Sequence, residues 1–584
     1  MKLLTLNRNQ IIYPRLMKKN NTIFLVFSLL IASFIVGTYS LIYFFQKSFP
    51  QGVGNGISTV LQLREFSNEK LAEYNPLTQR NLDVIHYSIK IDLDNQNKRI
   101  YGDVTINMKI SNPAVKEIPL NFYDNMKVIS VEVNGSEAIY GHDEKTLVIK
   151  KNKDWNDSIK VRVVYSGTPK SLGFGSFNFE THQNHPFVYT LNEPVFASTW
   201  LPCIDLPDDK AQAELFITND SSLVSLSNGN LISVRTNGSK KTYHWKTYYP
   251  ISTYLIAIYS GKYKSFSQKY VSVTKDSLNL THYAFENNLE NAKKDFSDHP
   301  QYLKVFEEIF GPYPFIKEKY SVAEFLWNSG AMEHQTITGI GTNFVGGNKL
   351  FTDILVHELA HHWWGNAVGP KTWKDIWLNE GFATYSEALY WEKIAGPKAL
   401  QTTINSRFGT FKNGTLYNPG NALFGNLVYN KGAWVLHMLR KEVGDQHFFK
   451  ILKEYLSIYK YSNASTNDFK MVCEKVSGIN LTQFFKQWIY NGEGIIELAY
   501  DWSADKTNSE YSFILNTEQL QNGYDIYKFP VELKIFYSEL ESETRTLRID
   551  KKQQRFTFTL KQKPTEIIFD PHKWLLAVYE SRND

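Results

Sequence analysis

The spacing of apolar residues changes twice along this chain, and the changes limit the folds that it can adopt. Apolar and polar residues alternate over 81–264, helical spacing prevails over 265–494, and alternation returns over 495–584. Alternation is typical of a strand with one buried face, whereas apolar residues three and four apart are typical of a helix. The sequence therefore predicts a multidomain α+β protein in which a mainly helical domain follows one β-rich domain and precedes another.

The clearest alternation lies on either side of the turn-forming stretch 94–97, Asp-Asn-Gln-Asn. Its apolar members, which we expect to face the core, are Tyr87, Ile89, Ile91, Leu93, Val104, Ile106, Met108 and Ile110. The same pattern returns in 531–537 and 556–560. This second occurrence favours a small β-sandwich over 495–584.

The first 45 residues differ in composition from the rest. Residues 1–21 contain five basic residues and no acidic one, whereas residues 22–45 are apolar and uncharged. A helix of this length, rising about 1.5 Å per residue, spans a hydrocarbon layer of about 30 Å. A cleaved signal peptide is the alternative, but its apolar part is usually about 7–15 residues long. Basic residues next to a membrane span usually lie on its cytoplasmic side. We therefore expect a cytoplasmic tail at 1–21, a transmembrane helix at 22–45, a stalk at 46–80 and an extracytoplasmic remainder.

Charge and cysteine content exclude some classes of function. The chain has 64 basic and 59 acidic residues, so the five charges of the tail account for the whole net charge of +5. The rest is neutral, which gives no support to a nucleic-acid partner. Two cysteines, Cys203 and Cys473, are too few for a zinc ribbon or a disulfide framework. We expect two buried free thiols, although a pair between them stays open.

The strongest chemical motif is H-E-x-x-H within 351–366, a segment with helical spacing. His357 and His361 lie one turn apart on such a helix, so that both imidazoles can bind one metal ion. Glu358 then reaches a water molecule on that ion instead of the ion itself. Glu380 follows after eighteen residues and opens another helical run. It completes a His₂Glu set for one Zn²⁺ and leaves the fourth position for water.

Glu387 lies on the same face of the second predicted helix as Glu380, seven residues further on. Histidines that bind a metal usually donate their other ring N–H to a carboxylate or carbonyl. We therefore predict that Glu387 accepts such a hydrogen bond. A solvated helix carboxylate is the alternative interpretation.

Several motifs occur in the order of one enzyme family. They are L-N-E-P at 191–194, G-A-M-E-H at 330–334, H-E-L-A-H at 357–361, N-E-G-F-A at 379–383 and Y-N-K-G-A at 429–433. From about residue 81 to 584 the chain resembles the gluzincins of the aminopeptidase N and leukotriene hydrolase family, in a short form without the C-terminal helical domain. The resemblance implies a saddle-like β-rich domain, a thermolysin-like mainly helical catalytic domain and a small β-sandwich domain.

The resemblance also implies an activity, the zinc-dependent removal of the N-terminal residue from peptides. Glu358 is then the general base and afterwards the general acid, and Tyr429 donates a hydrogen bond to the developing oxyanion. Glu193 and Glu333 match the family positions that hold the ammonium group of the substrate. We expect these two carboxylates to select free N-termini, because an α-amino group has a pKa near 8.

Gly330, Ala331 and Met332 belong to the same motif as Glu333, and we expect their backbone to bind the substrate as one strand binds another. Two residues depart from the family pattern. His334 replaces an asparagine and brings a titratable ring near the substrate backbone, so we expect it to affect substrate positioning and the pH profile. His362 stands where glutamine is usual, and we interpret it as a neighbour of the site, not a fourth ligand.

Three alternative functions stay open. A thermolysin-like endopeptidase shares the zinc helix but lacks the amine anchor. The second alternative is a catalytically inactive relative that serves as a binding module. The third is a hydrolase of non-peptide substrates such as epoxides, an activity of one branch of the family. The expected partners are peptides with free N-termini and, through residues 22–45, a membrane. Without the helical domain, we expect a cleft that is more open or is closed by a second subunit, as in a homodimer.

Overall fold

The computed structural model describes residues 77–583, except for residues 113, 152–154, 156, 421 and 422. The predicted tail at 1–21, the predicted transmembrane helix at 22–45 and nearly all of the predicted stalk at 46–80 lie outside the described residues.

The prediction of a single-pass membrane protein with an extracytoplasmic catalytic domain needs correction. In the described part of the chain, no helix is both long enough and apolar enough to cross a membrane. The longest described helix, Trp377–Ala395, has 19 residues and includes Glu380, Glu387, Glu392 and Lys393. A crossing requires about 20 predominantly apolar residues, and four charged residues break that requirement. On this finding the predicted localisation is wrong, and the predicted membrane contact loses its support.

The β-rich N-terminal region has fifteen described strands in three sheets. The strands are β1 (Leu82–Asp94), β2 (Arg99–Ile110), β3 (Glu117–Asn121), β4 (Met126–Val133), β5 (Ser136–Glu137), β6 (Tyr140–His142), β7 (Thr146–Lys150), β8 (Ser158–Gly167), β9 (Ser176–His182), β10 (His185–Leu191), β11 (Gln212–Asp220), β12 (Val224–Leu226), β13 (Asn230–Asn237), β14 (Lys240–Lys246) and β15 (Tyr259–Gly261). The sheet orders are β13-β14-β11-β1-β2-β8-β4-β5, β12-β15-β10-β9 and β3-β7-β6. The apolar residues predicted to face the core in β1 and β2 are all buried. Alternate burial therefore fixes the register of these central strands.

A new sheet begins at Tyr263, and helices follow it. Its strands, in the order β16-β17-β18-β20-β19, are β16 (Tyr263–Val271), β17 (Ser277–Phe285), β18 (Ser321–Phe325), β19 (Ala331–Met332) and β20 (Ile337–Gly341). The short strands β21 (Val368–Pro370) and β22 (Ser462–Ala464) pair with each other. The α-helices are α1 (Leu289–Asp295), α2 (His299–Phe310), α3 (Thr352–Ala360), α4 (Trp377–Ala395), α5 (Pro397–Ser406), α6 (Gly432–Val443), α7 (Asp445–Tyr459), α8 (Thr466–Ser477) and α9 (Thr482–Phe485). Two π-helical segments, Leu427–Lys431 and Lys486–Tyr490, precede α6 and follow α9.

The sequence pattern did not reveal this five-stranded sheet within the helical region. Every residue of β18 and of β20 is buried. Strands that are covered on both faces lack the alternation that marks a half-exposed strand. The periodicity of apolar residues alone therefore does not identify β18 and β20 as strands.

The C-terminal region consists of two sheets of four and three described strands. The strands are β23 (Ile496–Thr507), β24 (Glu510–Gln519), β25 (Phe529–Phe536), β26 (Ser542–Ile549), β27 (Gln553–Leu560), β28 (Glu566–Phe569) and β29 (Ala577–Ser581), in the orders β27-β24-β23-β29 and β26-β25-β28. Phe569 on one sheet contacts Tyr500 and Tyr579 on the other, with ring centroids 4.9 Å and 5.3 Å apart. The two sheets therefore pack face to face.

Hydrogen bonds attach the N-terminal region to the helical one. The partly buried Lys210 ammonium donates to the carbonyl of Asn366 at 2.8 Å and to that of Ser462 at 2.9 Å. Asn228 Nδ2 donates to the carbonyl of Gln335 at 2.7 Å. Because Asn366 and Gln335 flank the predicted site, these bonds fix the N-terminal region relative to it.

Candidate metal centre and substrate cavity

Helices α3 and α4 bring the three predicted metal ligands together. His357 and His361 lie one turn apart at the C-terminal end of α3, and Glu380 lies in the first turn of α4. The Nε2 atoms of the two imidazoles are 3.0 Å apart, and each is 3.4 Å from Glu380 Oε2. These atoms form a compact group of possible ligands.

The second ring nitrogen of each histidine decides where its lone pair points. His357 Nδ1 lies 2.8 Å from Glu387 Oε1, and His361 Nδ1 lies 3.0 Å from the carbonyl oxygen of Trp364. Since both partners are acceptors, each Nδ1 carries the proton and each Nε2 carries a lone pair. Two lone pairs and a carboxylate oxygen in such proximity repel each other unless a cation lies between them. Among the described residues, Glu380 Oε2 has no hydrogen-bond partner, and this donor set fits a zinc ion.

Glu387 is a buried partner of the metal-binding group. Its side chain is 5% exposed, so it is not a solvated carboxylate on the helix surface. Its second oxygen pairs with the guanidinium of Arg407. A chain of contacts thus runs from Arg407 through Glu387 to His357.

Glu358 lies beside the donor set without belonging to it. The side chain is buried, and among the described residues its Oε2 has no hydrogen-bond partner. Burial raises the pKa of Glu358. A cation among the three donors would lower this pKa again.

A single cavity of about 550 Å³ contains the predicted site residues. Those that line it are Glu193, Gly330, Ala331, Met332, Glu333, His357, Glu358, His361, Glu380, Glu387 and Tyr429. They come from five separate stretches of sequence. The fold therefore brings all of the predicted residues to one place.

Two further carboxylates, Glu193 and Glu333, lie in this cavity. Each residue is 4% exposed, and among the described residues each Oε1 has no hydrogen-bond partner. Burial raises the pKa of both carboxyl groups, and the charge of Glu333 raises that of Glu193 further. Buried carboxyl groups without partners favour a bound cation, because their desolvation is otherwise uncompensated.

The neighbouring residues hold these two carboxylates in place. Asn192 donates to the carbonyl of Ile256 at 2.6 Å and accepts from the indole of Trp200 at 2.9 Å, and so fixes the chain before Glu193. Asn366, which follows α3, donates to the carbonyl of Glu333 at 2.7 Å. The carboxylates are thus tied to the N-terminal region and to the metal-binding helix.

Strand β19 provides the backbone beside Glu333. It is the edge strand of the five-stranded sheet in the described part of the chain. Its inner side pairs with β20, where Ala331 lies opposite Ile340 and Met332 opposite Gly339. Its outer side is therefore free for an extended chain in the cavity.

Tyr429 lies in the π-helical segment that precedes α6. Its ring stacks on that of His357, with centroids 5.9 Å apart. Burial, and then the charge of Glu380, raises the pKa of Tyr429 well above its usual range. The hydroxyl therefore stays protonated at neutral pH and is available as a donor.

A close helix crossing positions Tyr429 beside Glu380. A Cβ atom on Gly432 would lie 2.8 Å from the Cα of Gly381, and one on Gly381 would lie 2.9 Å from the Cα of Gly432. Only two glycines allow helices α4 and α6 to approach this closely. Both belong to sequence motifs quoted above, but no sequence pattern shows that they touch.

The two residues that depart from the family pattern do not line the cavity. His334 is buried, its Nδ1 lies 2.6 Å from the hydroxyl of Tyr259, and burial lowers its pKa to about 3. His362 Nε2 accepts from the backbone N–H of Thr336 at 3.0 Å, while Nδ1 lies 3.2 Å from the carbonyl of Glu358. His362 therefore joins the metal-binding helix to the segment after Glu333, a contact that sequence reasoning missed.

Other residues that line the cavity were not predicted as site residues. They are Phe174, Trp327, Ser329, Phe344, Asp353, Ile354, Thr384, Arg407, Phe424, Gly425, Asn426 and Asn430. Half of them lie in loops, where periodicity gives no signal: Phe174, Trp327, Ser329, Arg407, Phe424 and Gly425.

A His–His–Glu donor set on two helices, next to an edge strand and two unpartnered carboxylates, defines the gluzincin class of metallopeptidases. Two family models match the chain: a Peptidase M1 N-terminal domain over residues 84–255 and a Peptidase family M1 domain over residues 295–488. Together they match more than half of the chain. The chain belongs to peptidase family M1.

The chain is similar to curated proteins and to solved structures. A probable aminopeptidase 2 of Sulfurisphaera tokodaii is 26% identical over 475 residues, which cover 77% of this chain and 58% of that protein. Aminopeptidase A of Legionella pneumophila, solved with aspartic acid, superposes with a TM-score of 0.76 at 17% identity and covers 86% of this chain and 60% of that one. An M1 zinc metallopeptidase of Deinococcus radiodurans was solved with a Tyr-Ser-Ala substrate. It superposes with a TM-score of 0.63 at 24% identity, and the match covers 70% of this chain and 94% of that one. The structural likeness concerns the fold, and this chain spans little more than half of the Sulfurisphaera relative.

Proposed function

We propose that this chain is a zinc-dependent aminopeptidase that hydrolyses the first peptide bond of peptides with a free N-terminus. One observation carries the proposal: Glu193 and Glu333 are buried in the cavity that contains the metal donors, and among the described residues the Oε1 atom of each has no hydrogen-bond partner. An N-terminal ammonium group, which is mostly charged at pH 7, would satisfy both carboxylates. The relative from Sulfurisphaera tokodaii is named a probable aminopeptidase, and this supports the same reading.

In this proposal His357, His361 and Glu380 hold the zinc ion, and Glu387 holds the ring of His357. When bound, zinc supplies Lewis acidity that activates water and polarises the scissile carbonyl. Glu358 takes the proton of the attacking water and delivers it to the leaving amine.

Two further groups act on the substrate itself. The hydroxyl of Tyr429 donates to the oxyanion that develops on the carbonyl carbon. The free side of Gly330, Ala331 and Met332 holds the substrate backbone as an added strand. The combined effect is to fix the first peptide bond at the metal.

We also propose the domain division 81–264, 265–494 and 495–584. Sheet membership changes at Tyr263 and again at Ile496, which supports these boundaries. A second subunit that closes the cavity is a separate prediction, and sedimentation velocity of the full chain tests it.

The two main alternatives differ in the use of the carboxylates. An endopeptidase has no need of Glu193 and Glu333 as an ammonium site. An inactive relative has no need to retain Glu358 beside an intact donor set.

Mass spectrometry of a digested ten-residue peptide tests the proposal. We expect products that lose residues one at a time from the N-terminus, suppression by a chelator and recovery on addition of zinc. Internal fragments would favour the endopeptidase. An intact peptide in the presence of zinc would favour the inactive relative.

A further inference from the structure

We propose that Phe174, Trp327 and Phe424 form the pocket for the first side chain of the substrate, and that this pocket selects large apolar residues. The inference rests on the proposed aminopeptidase function and adds to it the class of N-terminal residue. The three rings line the same cavity as Glu193 and Glu333.

The rings form one aromatic cluster. Phe174 contacts Trp327 and Phe424 edge to face, with centroids 5.5 Å and 5.2 Å apart. All three side chains are only partly buried. Aromatic rings that pack on each other and stay partly exposed inside a cavity gain most from an apolar partner.

The cluster lies next to the ammonium site through Trp327. A Cβ atom on Gly330 would lie 3.1 Å from the Trp327 ring, so the indole packs on the Gly330 backbone. Gly330 precedes β19, whose chain continues to Glu333. A residue whose ammonium group lies at Glu333 therefore has its side chain within reach of this wall.

The loop that carries Phe174 is held in a fixed shape. Gly173 and Gly175, with φ of +57° and +127°, adopt conformations that glycine favours on either side of Phe174. Asn178 Nδ2 donates to the carbonyl of Gly175 at 2.8 Å. This turn therefore holds the Phe174 ring in the wall of the cavity.

The charged side chains of the cavity wall outside the predicted site have partners of their own. Asp353 accepts a hydrogen bond from the indole of Trp391 at 2.6 Å, and Arg407 pairs with Glu387. None of the three members of the aromatic cluster carries a charge. A charged N-terminal side chain in this pocket would lose its hydration without a partner.

Steady-state kinetics on p-nitroanilides of phenylalanine, leucine, alanine, arginine and glutamate test the inference in the zinc-loaded full chain. We expect kcat/KM for the phenylalanine and leucine compounds to exceed that for alanine by at least about tenfold. Phe174→Ala and Phe424→Ala should each lower the phenylalanine-to-alanine ratio by about threefold or more. Tyr248→Ala, which removes a ring that is 48% exposed elsewhere on the surface, should leave the ratio unchanged.

The outcomes separate this inference from the function on which it rests. Turnover with arginine or glutamate preferred over phenylalanine and leucine overturns the inference alone. So does an unchanged ratio in both folded variants, with folding checked by circular dichroism and zinc content. No turnover of any compound overturns the proposed function and the inference with it.

Discussion

Tyr429 places a hydroxyl in a cavity whose other polar groups near the metal donors are mostly carboxylates. Because its pKa is raised by burial, the hydroxyl is a donor throughout the neutral range. We expect Tyr429→Phe to keep zinc content and KM while kcat falls by about 10²–10³, the usual cost of one lost oxyanion donor. Metal analysis combined with steady-state kinetics checks this. Unchanged turnover would remove Tyr429 from the mechanism.

Glu387 Oε1 contacts His357 Nδ1, and its second carboxylate oxygen pairs with the guanidinium of Arg407. We expect Glu387→Ala to weaken zinc binding by about 10–100-fold, because the ring of His357 then loses its acceptor. Competition with a zinc-sensitive dye measures the affinity. Glu392→Ala is the matched control, since Glu392 lies on the same helix and pairs with Arg440 instead. Equal zinc affinity in both variants would reject the role of Glu387.

His334 differs from the expectation that it titrates near the substrate. With a pKa of about 3 it is neutral from about pH 4 upward in the folded chain. We therefore expect His334→Asn to leave the shape of the pH profile between pH 5 and 9 unchanged. A shift of either limb of that profile would contradict the buried, neutral ring.

The same ring affects stability in acid. Its folded pKa is below the ordinary value of about 6.5, so its contribution is present above pH 6.5 and is lost as the pH falls toward 3. At pH 5 the unfolded state gains about 2 kcal/mol from protonation of this histidine. Urea unfolding at pH 7 and pH 5 should show a smaller loss of stability in His334→Asn than in the wild type.

At the scale of elements, the crossing of α4 and α6 decides whether Tyr429 and Glu380 share one cavity. A methyl group on Gly432 would overlap the Cα of Gly381, so the helices must separate. We expect Gly432→Ala to lower kcat at least about tenfold with little change in zinc content. A misplaced Tyr429 hydroxyl slows the reaction more than it weakens zinc binding. Gly141→Ala is the control, since a Cβ atom there meets nothing within 4 Å. Full activity in Gly432→Ala would contradict the positioning role of this crossing.

Features that are marked by a periodicity of apolar residues or by a motif spacing could be predicted from the sequence. The H-E-x-x-H spacing predicted that His357 and His361 share one helix face, and alternation predicted the buried positions of β1 and β2. The roles given to the site residues stay predictions. The buried strands β18 and β20 carry no alternation, and the contact of Gly381 with Gly432 joins residues 51 positions apart. Phe174 lies in a loop of the N-terminal region, so only the fold shows that it lines the cavity.

Two regions of the molecule contribute to the proposed ammonium site. Glu193 follows β10 of the N-terminal region, whereas Glu333 follows β19 of the sheet that precedes the metal-binding helix. Lys210 and Asn228 join the two regions through hydrogen bonds, of which that of Asn228 is buried. The pairing of these carboxylates therefore depends on how the two regions pack. Neither region forms the site alone.

The most direct test compares kcat/KM for one peptide amide with a free N-terminus and for its N-acetylated twin, in the zinc-loaded wild type and in Glu333→Gln. We expect at least about a hundredfold preference for the free amine in the wild type, because an acetylated substrate leaves two buried carboxylates unpaired. Glu333→Gln should lose most of that preference while it retains zinc. Equal turnover of the two substrates by the wild type would rule out the ammonium site and leave only a zinc hydrolase.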